Sequence, residues 1–191
     1  MKNGILIVFE GIDGSGKSSC MDAAVSEISK KRDVIRTSEP TKGVIGQLIR
    51  THTDVTPETE ALLFTADRAE HTKEMKKWLD NGKIVMCDRY YASTLAYQSA
   101  YGVRSSWLRK MNEPVIIEPD ITFLFDISPE MGLERVESRG EKSKFERLDY
   151  LKKVRRNYLK IAKEKGFVII DASENKDHVL ASVMEHISKI I

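Results

Sequence analysis

The chain has 191 residues, 41% hydrophobic and 31% charged, and its 31 basic and 29 acidic side chains give a formal charge of +2. That length suits one domain with a substantial core, and the balance excludes a disordered chain. The small net charge leaves no basic surplus, so neither a nucleic-acid binder nor a membrane-surface binder is expected.

The chain enters with the apolar run Ile5–Phe9, which reads as a strand and is too short for a secretory signal. A glycine-rich turn follows, then a helix over 17–31 carrying Cys20. Next come a strand at Val34–Thr37, a helix over 43–50 and a long helix over 57–80. Thr56-Pro57-Glu58 gives that long helix an N-cap, a first-turn proline and an acidic first turn. A third strand, Ile84–Cys87, leads into helices over 91–101 and 104–112. After a fourth strand, Ile121–Phe125, Ser128-Pro129-Glu130 starts a helix over 129–138. The charged segment 139–144 sits between two helices and suits either a mobile lid or a surface turn. A helix over 144–164 ends before Gly166, a last strand spans Val168–Ile170, and a final helix spans 175–190.

Short, continuous, β-branched strands alternating with amphipathic helices predict an α/β fold: a five-stranded parallel sheet flanked by helices, in a single domain over 1–191. No stretch approaches the ~20 apolar residues of a membrane span. The two cysteines, Cys20 and Cys87, make no disulfide framework and no metal cluster, so buried thiols in a reducing cytoplasm are expected.

The strongest motif is Gly11-Ile12-Asp13-Gly14-Ser15-Gly16-Lys17-Ser18, followed by Ser19. It matches GxxxxGK[ST] between a strand and a helix, the context of a phosphate-binding P-loop. Its glycines let backbone N–H groups turn toward phosphate oxygens, and the helix N-terminus adds a positive pole. Lys17 reaches the β- and γ-phosphates, and Ser18 offers a hydroxyl to Mg²⁺. Asp13, inside the loop, either serves the acceptor through a metal, a hydrogen bond or an arginine, or faces solvent. Asp88-Arg89-Tyr90 stands at a strand C-terminus, where open α/β sheets bind ligands. Asp88 can hold a Mg²⁺-bound water and Arg89 can bridge two phosphates, or the two end the strand as an ion pair. Phe64 and Arg68, four apart on the long helix, can stack a base and read its carbonyl edge, or be core and solvated residues. Tyr97 packs either on a sugar or on a neighbouring helix.

Taken in order, Phe9-Glu10-Gly11 with the P-loop, Glu39-Pro40, Leu62-Leu63-Phe64, Ala66-Asp67-Arg68, Asp88-Arg89-Tyr90, Ser93, Ala96-Tyr97-Gln98, Pro119-Asp120, Asp126 and Val154-Arg155-Arg156-Asn157-Tyr158-Leu159 resemble the thymidylate kinases over nearly the whole chain. The resemblance implies a P-loop nucleoside monophosphate kinase fold, ATP and Mg²⁺ as co-substrates, dTMP as acceptor, and a homodimer. It implies that Lys17 and Ser18 serve the donor phosphates and Mg²⁺, while Asp13, Glu39 and Arg89 serve the acceptor side. It further implies that Phe64 stacks thymine, Arg68 reads its carbonyl edge, Tyr97 crowds the sugar 2′-carbon, and Thr94 and Gln98 touch base or sugar.

Two departures stand out. Members of this family often read Arg-Glu-Pro where this chain has Ser38-Glu39-Pro40, so Lys42 is the expected substitute. The P-loop also lacks the arginine some members carry, which in this family goes with a basic lid; Arg139 is the first candidate, beside Lys142 and Lys144. The acceptor phosphate is largely dianionic near pH 7 and needs no general base. Catalysis is expected to be positioning and charge neutralisation by Lys17, Arg89, Asp13 and Arg139. The alternatives are a kinase for dUMP, UMP or CMP and a non-catalytic nucleotide switch.

Overall fold

The computed structural model describes residues 4–51, 54–136 and 144–191, with side chains in the last segment from Arg147 onward. Among them five parallel strands form one sheet in the order β2-β3-β1-β4-β5. These are β1 Ile5–Gly11, β2 Val34–Ser38, β3 Ile84–Asp88, β4 Ile121–Asp126 and β5 Val168–Asp171. The central strand, β1, is the most completely enclosed, with Leu6 to Phe9 at most 1% exposed. Its rings pack sideways: Phe9 lies 5.6 Å from Phe123 and 6.0 Å from Phe125, between centroids. Burial on both faces explains the unbroken apolar runs.

The helices are α1 Lys17–Ile28, α2 Val44–Thr51, α3 Pro57–Asp80, α4 Tyr91–Ala100, α5 Ser105–Asn112, α6 Pro129–Val136, α7 Lys144–Lys165 and α8 Lys176–Ile187. Expected start signals operate as caps: Thr56 Oγ1 accepts from Thr59 N at 3.2 Å, and Ser128 Oγ accepts from Met131 N at 3.2 Å. Gly166, at φ +70°, turns the chain from α7 into β5. The first helix ends three residues earlier than its periodicity predicts, because Lys31 N and Arg32 N both turn back to Ile28 O at 3.0 Å. A 3₁₀ turn at Glu113–Val115 extends α5 toward β4.

The register fixes where chemistry can happen. Phe9 pairs with Asp88, and Asp88 pairs with Ser38. The carboxyl ends of β1, β2 and β3 therefore stand side by side, and Glu10, Asp88, Arg89 and Glu39 emerge at one edge of the sheet.

Candidate active site

The turn after β1 closes into a P-loop against α6. Gly14 sits at φ +80°, and a Cβ there would lie 2.1 Å from the Gly132 carbonyl oxygen. Only glycine tolerates both the left-handed backbone and this approach. Gly16, also left-handed at φ +81°, begins α1 without any side-chain cap. The first-turn N–H groups of α1 are thus left for an anion.

A cleft of about 1010 Å³ opens over this loop. Gly14 through Ser19 form its floor, and Arg135, Arg147 and Leu180 are among its walls. Gly11 and Ile12 do not line it. The Ile12 side chain is core, and the Gly11 carbonyl accepts from Arg89 Nη1 at 3.0 Å. Lys17 is buried under the loop with Nζ 3.9 Å from Asp88 Oδ1. Burial, and then the Arg89 charge, pull its ammonium down to about 8 against the pull of Asp88, Asp13 and Glu10.

Ser18 Oγ donates to Asp88 Oδ2, while the buried Asp88 Oδ1 accepts no hydrogen bond among the described residues. One orphaned carboxylate oxygen beside a serine hydroxyl suits a Mg²⁺ ion that takes its other ligands from phosphates and water. No cluster of three acidic, histidine or cysteine residues exists among the described residues to hold a metal by itself.

A second cleft, of about 530 Å³, lies between α3, α4 and the end of β3. Asp13 and Arg89 stand at its inner end, and Asp13 also lines the first cleft. Arg89 Nη2 donates to Asp13 Oδ1 at 2.6 Å. Burial works to raise the Asp13 carboxyl, but Arg89 and Lys17 outweigh it and hold it below the ordinary carboxylate value. Phe64 is half-buried, lines the cleft, and is not among the residues packed on the core. Its ring is free to meet a flat ligand.

Arg68, 1% exposed, is held on all sides. Its Nε donates to Glu39 Oε2 at 2.8 Å, Nη2 to Thr94 Oγ1 at 3.1 Å, and Nη1 to Asn112 Oδ1. Glu39 in turn meets His71 Nδ1 at 3.0 Å. Glu39 and Thr94 therefore aim Arg68 from the cleft wall. Tyr97 lies with its ring 5.2 Å from the Arg89 guanidinium carbon, and its buried hydroxyl has no partner among the described residues. Gln98 donates to Glu60 Oε2 at 2.9 Å and keeps an unpartnered carbonyl oxygen.

A family model described as thymidylate kinase matches residues 9–183. A probable thymidylate kinase of Pyrobaculum aerophilum is 38% identical over 190 residues, covering 97% of each chain. One of Methanocaldococcus jannaschii is 42% identical over 178 residues, covering 91% of this chain and 90% of its own. A thymidylate kinase of Coprothermobacter proteolyticus is 39% identical over 192 residues, covering 96% and 98%.

The chain belongs to the thymidylate kinase family.

In this thymidylate kinase family member, Lys42, the expected substitute for the arginine missing before Glu39, does not line the second cleft. Lys42 lines a separate hollow with Arg36, Glu70 and Glu74, and the basic residues of the second cleft are Arg68 and Arg89. Because Glu39 pairs with Arg68, Arg89 is the cation there that faces Asp13 and the P-loop. Arg139 and Lys142 lie outside the described residues, as does the Lys144 side chain. Arg135 and Arg147, on either side of that segment, both line the first cleft.

Sequence reasoning gave no role to Glu10, Tyr158, Tyr150 or Arg147. Glu10 is 0% exposed, at the penultimate position of β1. Burial pushes its carboxyl up, against hydrogen bonds from Ser93, Tyr158 and Tyr90 and the charge of Arg89. A lone acid within an apolar central strand was the available signal.

Proposed function

We propose that this chain carries the γ-phosphate of ATP onto dTMP through the two clefts that meet at Asp13 and Arg89. The family supplies the reaction, ATP:dTMP phosphotransfer giving dTDP. The observation that carries the reading is Arg89, which touches the P-loop carbonyl of Gly11 and the Asp13 carboxylate from the end of β3. A guanidinium there can span donor and acceptor oxygens.

ATP lies over the P-loop, with Gly14 to Gly16 and the start of α1 around its phosphates and Lys17 against the β- and γ-oxygens. Asp88 and Ser18 would hold Mg²⁺, which would supply positive charge against the phosphates. dTMP lies in the second cleft with thymine on Phe64, its carbonyl edge toward Arg68, and its phosphate at Arg89. Binding exchanges the Asp13–Arg89 pair for a phosphate–Arg89 pair and frees Asp13 to order the acceptor side. Tyr97 closes the space under the sugar. The basic lid expected over 139–144, with Arg139 as its cation, is part of this reading and lies outside the described residues apart from the Lys144 backbone.

A homodimer is part of this reading. The adjoining helices α2 and α3 leave Val44 86%, Leu48 40% and Leu62 52% exposed, apolar side chains that a second copy would cover. No helix among the described residues is long and apolar enough to cross a membrane. The free thiols Cys20 and Cys87 support a reducing compartment, the cytoplasm.

A monophosphate panel in a coupled ADP-release assay tests the function. We expect the highest kcat/KM for dTMP, with dUMP lower by about 10–200-fold because one methyl contact separates them. Preference for CMP or AMP, or ATP binding without transfer to any monophosphate, would contradict it.

A further inference from the structure

We propose that Glu10 is a positioning residue for phosphoryl transfer: its buried carboxylate orients the hydroxyls of Ser93 and Tyr158 to accept from Arg89 and so fixes the guanidinium between the two clefts. The inference rests on the role given to Arg89 above.

The contacts around Glu10 form two sets. Oε1 accepts from Tyr90 N at 2.9 Å and Ser93 N at 3.1 Å. No side chain of the Tyr90 cap serves the N-terminus of α4, so the carboxylate of β1 does that work from across the sheet edge. Oε2 accepts from Ser93 Oγ at 2.6 Å and from Tyr158 OH at 2.9 Å. Each hydroxyl has one proton, and an ionised carboxylate can only accept. With their protons drawn to Glu10, both hydroxyl oxygens present lone pairs to Arg89 Nη1, at 3.3 Å and 3.4 Å. The two oxygens are also 2.7 Å apart. Two protons serve these three contacts, so at most two of them are hydrogen bonds at once, and while both protons point to Glu10 both oxygens accept from Arg89.

The backbone of Arg89 depends on the same strand. Arg89 is the one non-glycine residue with positive φ among the described residues, at φ +66°. That region is unfavourable for a branched or bulky side chain and persists where surroundings enforce it. Here Arg89 N donates to Phe9 O at 2.9 Å, and the next N–H, of Tyr90, goes to Glu10. Two consecutive residues of β1 thus hold two consecutive residues at the end of β3. Of the partners of the guanidinium, Asp13 is solvent-facing and can be exchanged for a phosphate and Ser93 lines the same cleft, whereas Tyr158 is buried, as is the Glu10 carboxylate that holds both hydroxyls. The buried anchor therefore persists when the solvent-facing partner changes.

Glu10→Gln separates the two sets. The amide carbonyl can still cap α4, but the amide NH₂ donates toward Ser93 and Tyr158. Their protons then turn toward Arg89, donor against donor. We measure kcat and both KM values for wild type, Glu10→Gln, Arg89→Ala and the double variant, with thermal unfolding alongside. A misplacement of about 1 Å can cost about a hundredfold. We expect Glu10→Gln to lower kcat about 10–100-fold with KM for ATP within about threefold, and to cost less than about twofold further in the Arg89→Ala background. The same loss in both backgrounds would mean that Glu10 acts by general stability, and normal kcat in Glu10→Gln would mean that it does not act; either overturns the proposal. Normal kcat in Arg89→Ala would overturn the role of Arg89 and this proposal with it. If Glu10→Gln does not fold, Tyr158→Phe leaves the cap intact and removes one accepting oxygen. It should lower kcat about threefold or more, again only while Arg89 is present, and an unchanged kcat overturns the proposal.

Discussion

Tyr97 combines two properties that bear on sugar selection. Its ring stands beside Arg89, and its buried hydroxyl lacks a partner among the described residues. Tyr97 packs edge-on against Tyr150 and Tyr158 and also lines the second cleft, so its bulk can exclude a sugar hydroxyl. Tyr97→Ala should narrow the ratio of kcat/KM for the deoxyribose and ribose forms of the thymine monophosphate by about tenfold or more. An unchanged ratio removes Tyr97 as the sugar gate. The cysteines give a contrary case of residues near chemistry that take no part in it. Cys20 borders the P-loop cleft, but burial pushes its thiol up to about 11, and burial first of all pushes the Cys87 thiol well up too. At pH 8 about one Cys20 in a thousand is then thiolate, and thiolate is the reactive form. Native protein treated with iodoacetamide at pH 8 should keep its activity, and labelling should rise about tenfold per pH unit toward 11. Rapid inactivation at pH 8 would contradict the assignment.

At the scale of elements, the seam between the P-loop and α6 limits what the loop can become. A Cβ on Gly132 would meet Asp13 O at 2.9 Å and Ile12 Cδ1 at 3.2 Å. Gly132→Ala forces the loop or the helix outward, an overpacking cost of about 1–3 kcal/mol. For a chain of this size that corresponds to a Tm lower by roughly 2–12 °C, and KM for ATP should rise with it. A Tm and KM equal to wild type would mean that the seam is loose. Gly132 also illustrates what a sequence conceals. The strands, the P-loop and the caps at Thr56 and Ser128 follow from local pattern and were legible. So was the pairing of Phe64 with Arg68 on one helix face. Contacts made by partners far apart in sequence were not: Gly14 with Gly132, Glu39 with Arg68 and His71, and Glu10 with Ser93 and Tyr158. Spacing announces none of them, because the sheet order brings them together. Lys42, close in sequence to Glu39, lines a separate hollow, which its place in the sequence does not announce.

Across the whole molecule, the parallel order puts the carboxyl ends of all five strands at one edge, with β1 between the two clefts. The cleft proposed for ATP is lined by the P-loop, α6 and the start of α8, and the one proposed for the acceptor by α3 and α4. One helix serves both. Along α7, Arg147 lines the ATP cleft, Tyr150 lines the acceptor cleft, and Tyr158 reaches Arg89 between them. Arg147 is also among the charges that hold the Asp13 carboxyl low. Arg147→Ala should therefore lower kcat/KM for ATP by at least about tenfold while changing KM for dTMP less. An equal effect on both substrates would argue that α7 acts only as a packing element.

In the proposed reaction two phosphates meet across Arg89, one held by the P-loop and the other carried by a base lying on Phe64. A crystal structure with dTMP and a non-hydrolysable ATP analogue would show whether they do. We expect the acceptor phosphate within hydrogen-bond reach of Arg89, thymine stacked on the Phe64 ring, and the terminal phosphate of the analogue beside Lys17. A thymine ring outside the Phe64 cleft, or an acceptor phosphate beyond reach of Arg89, would contradict it.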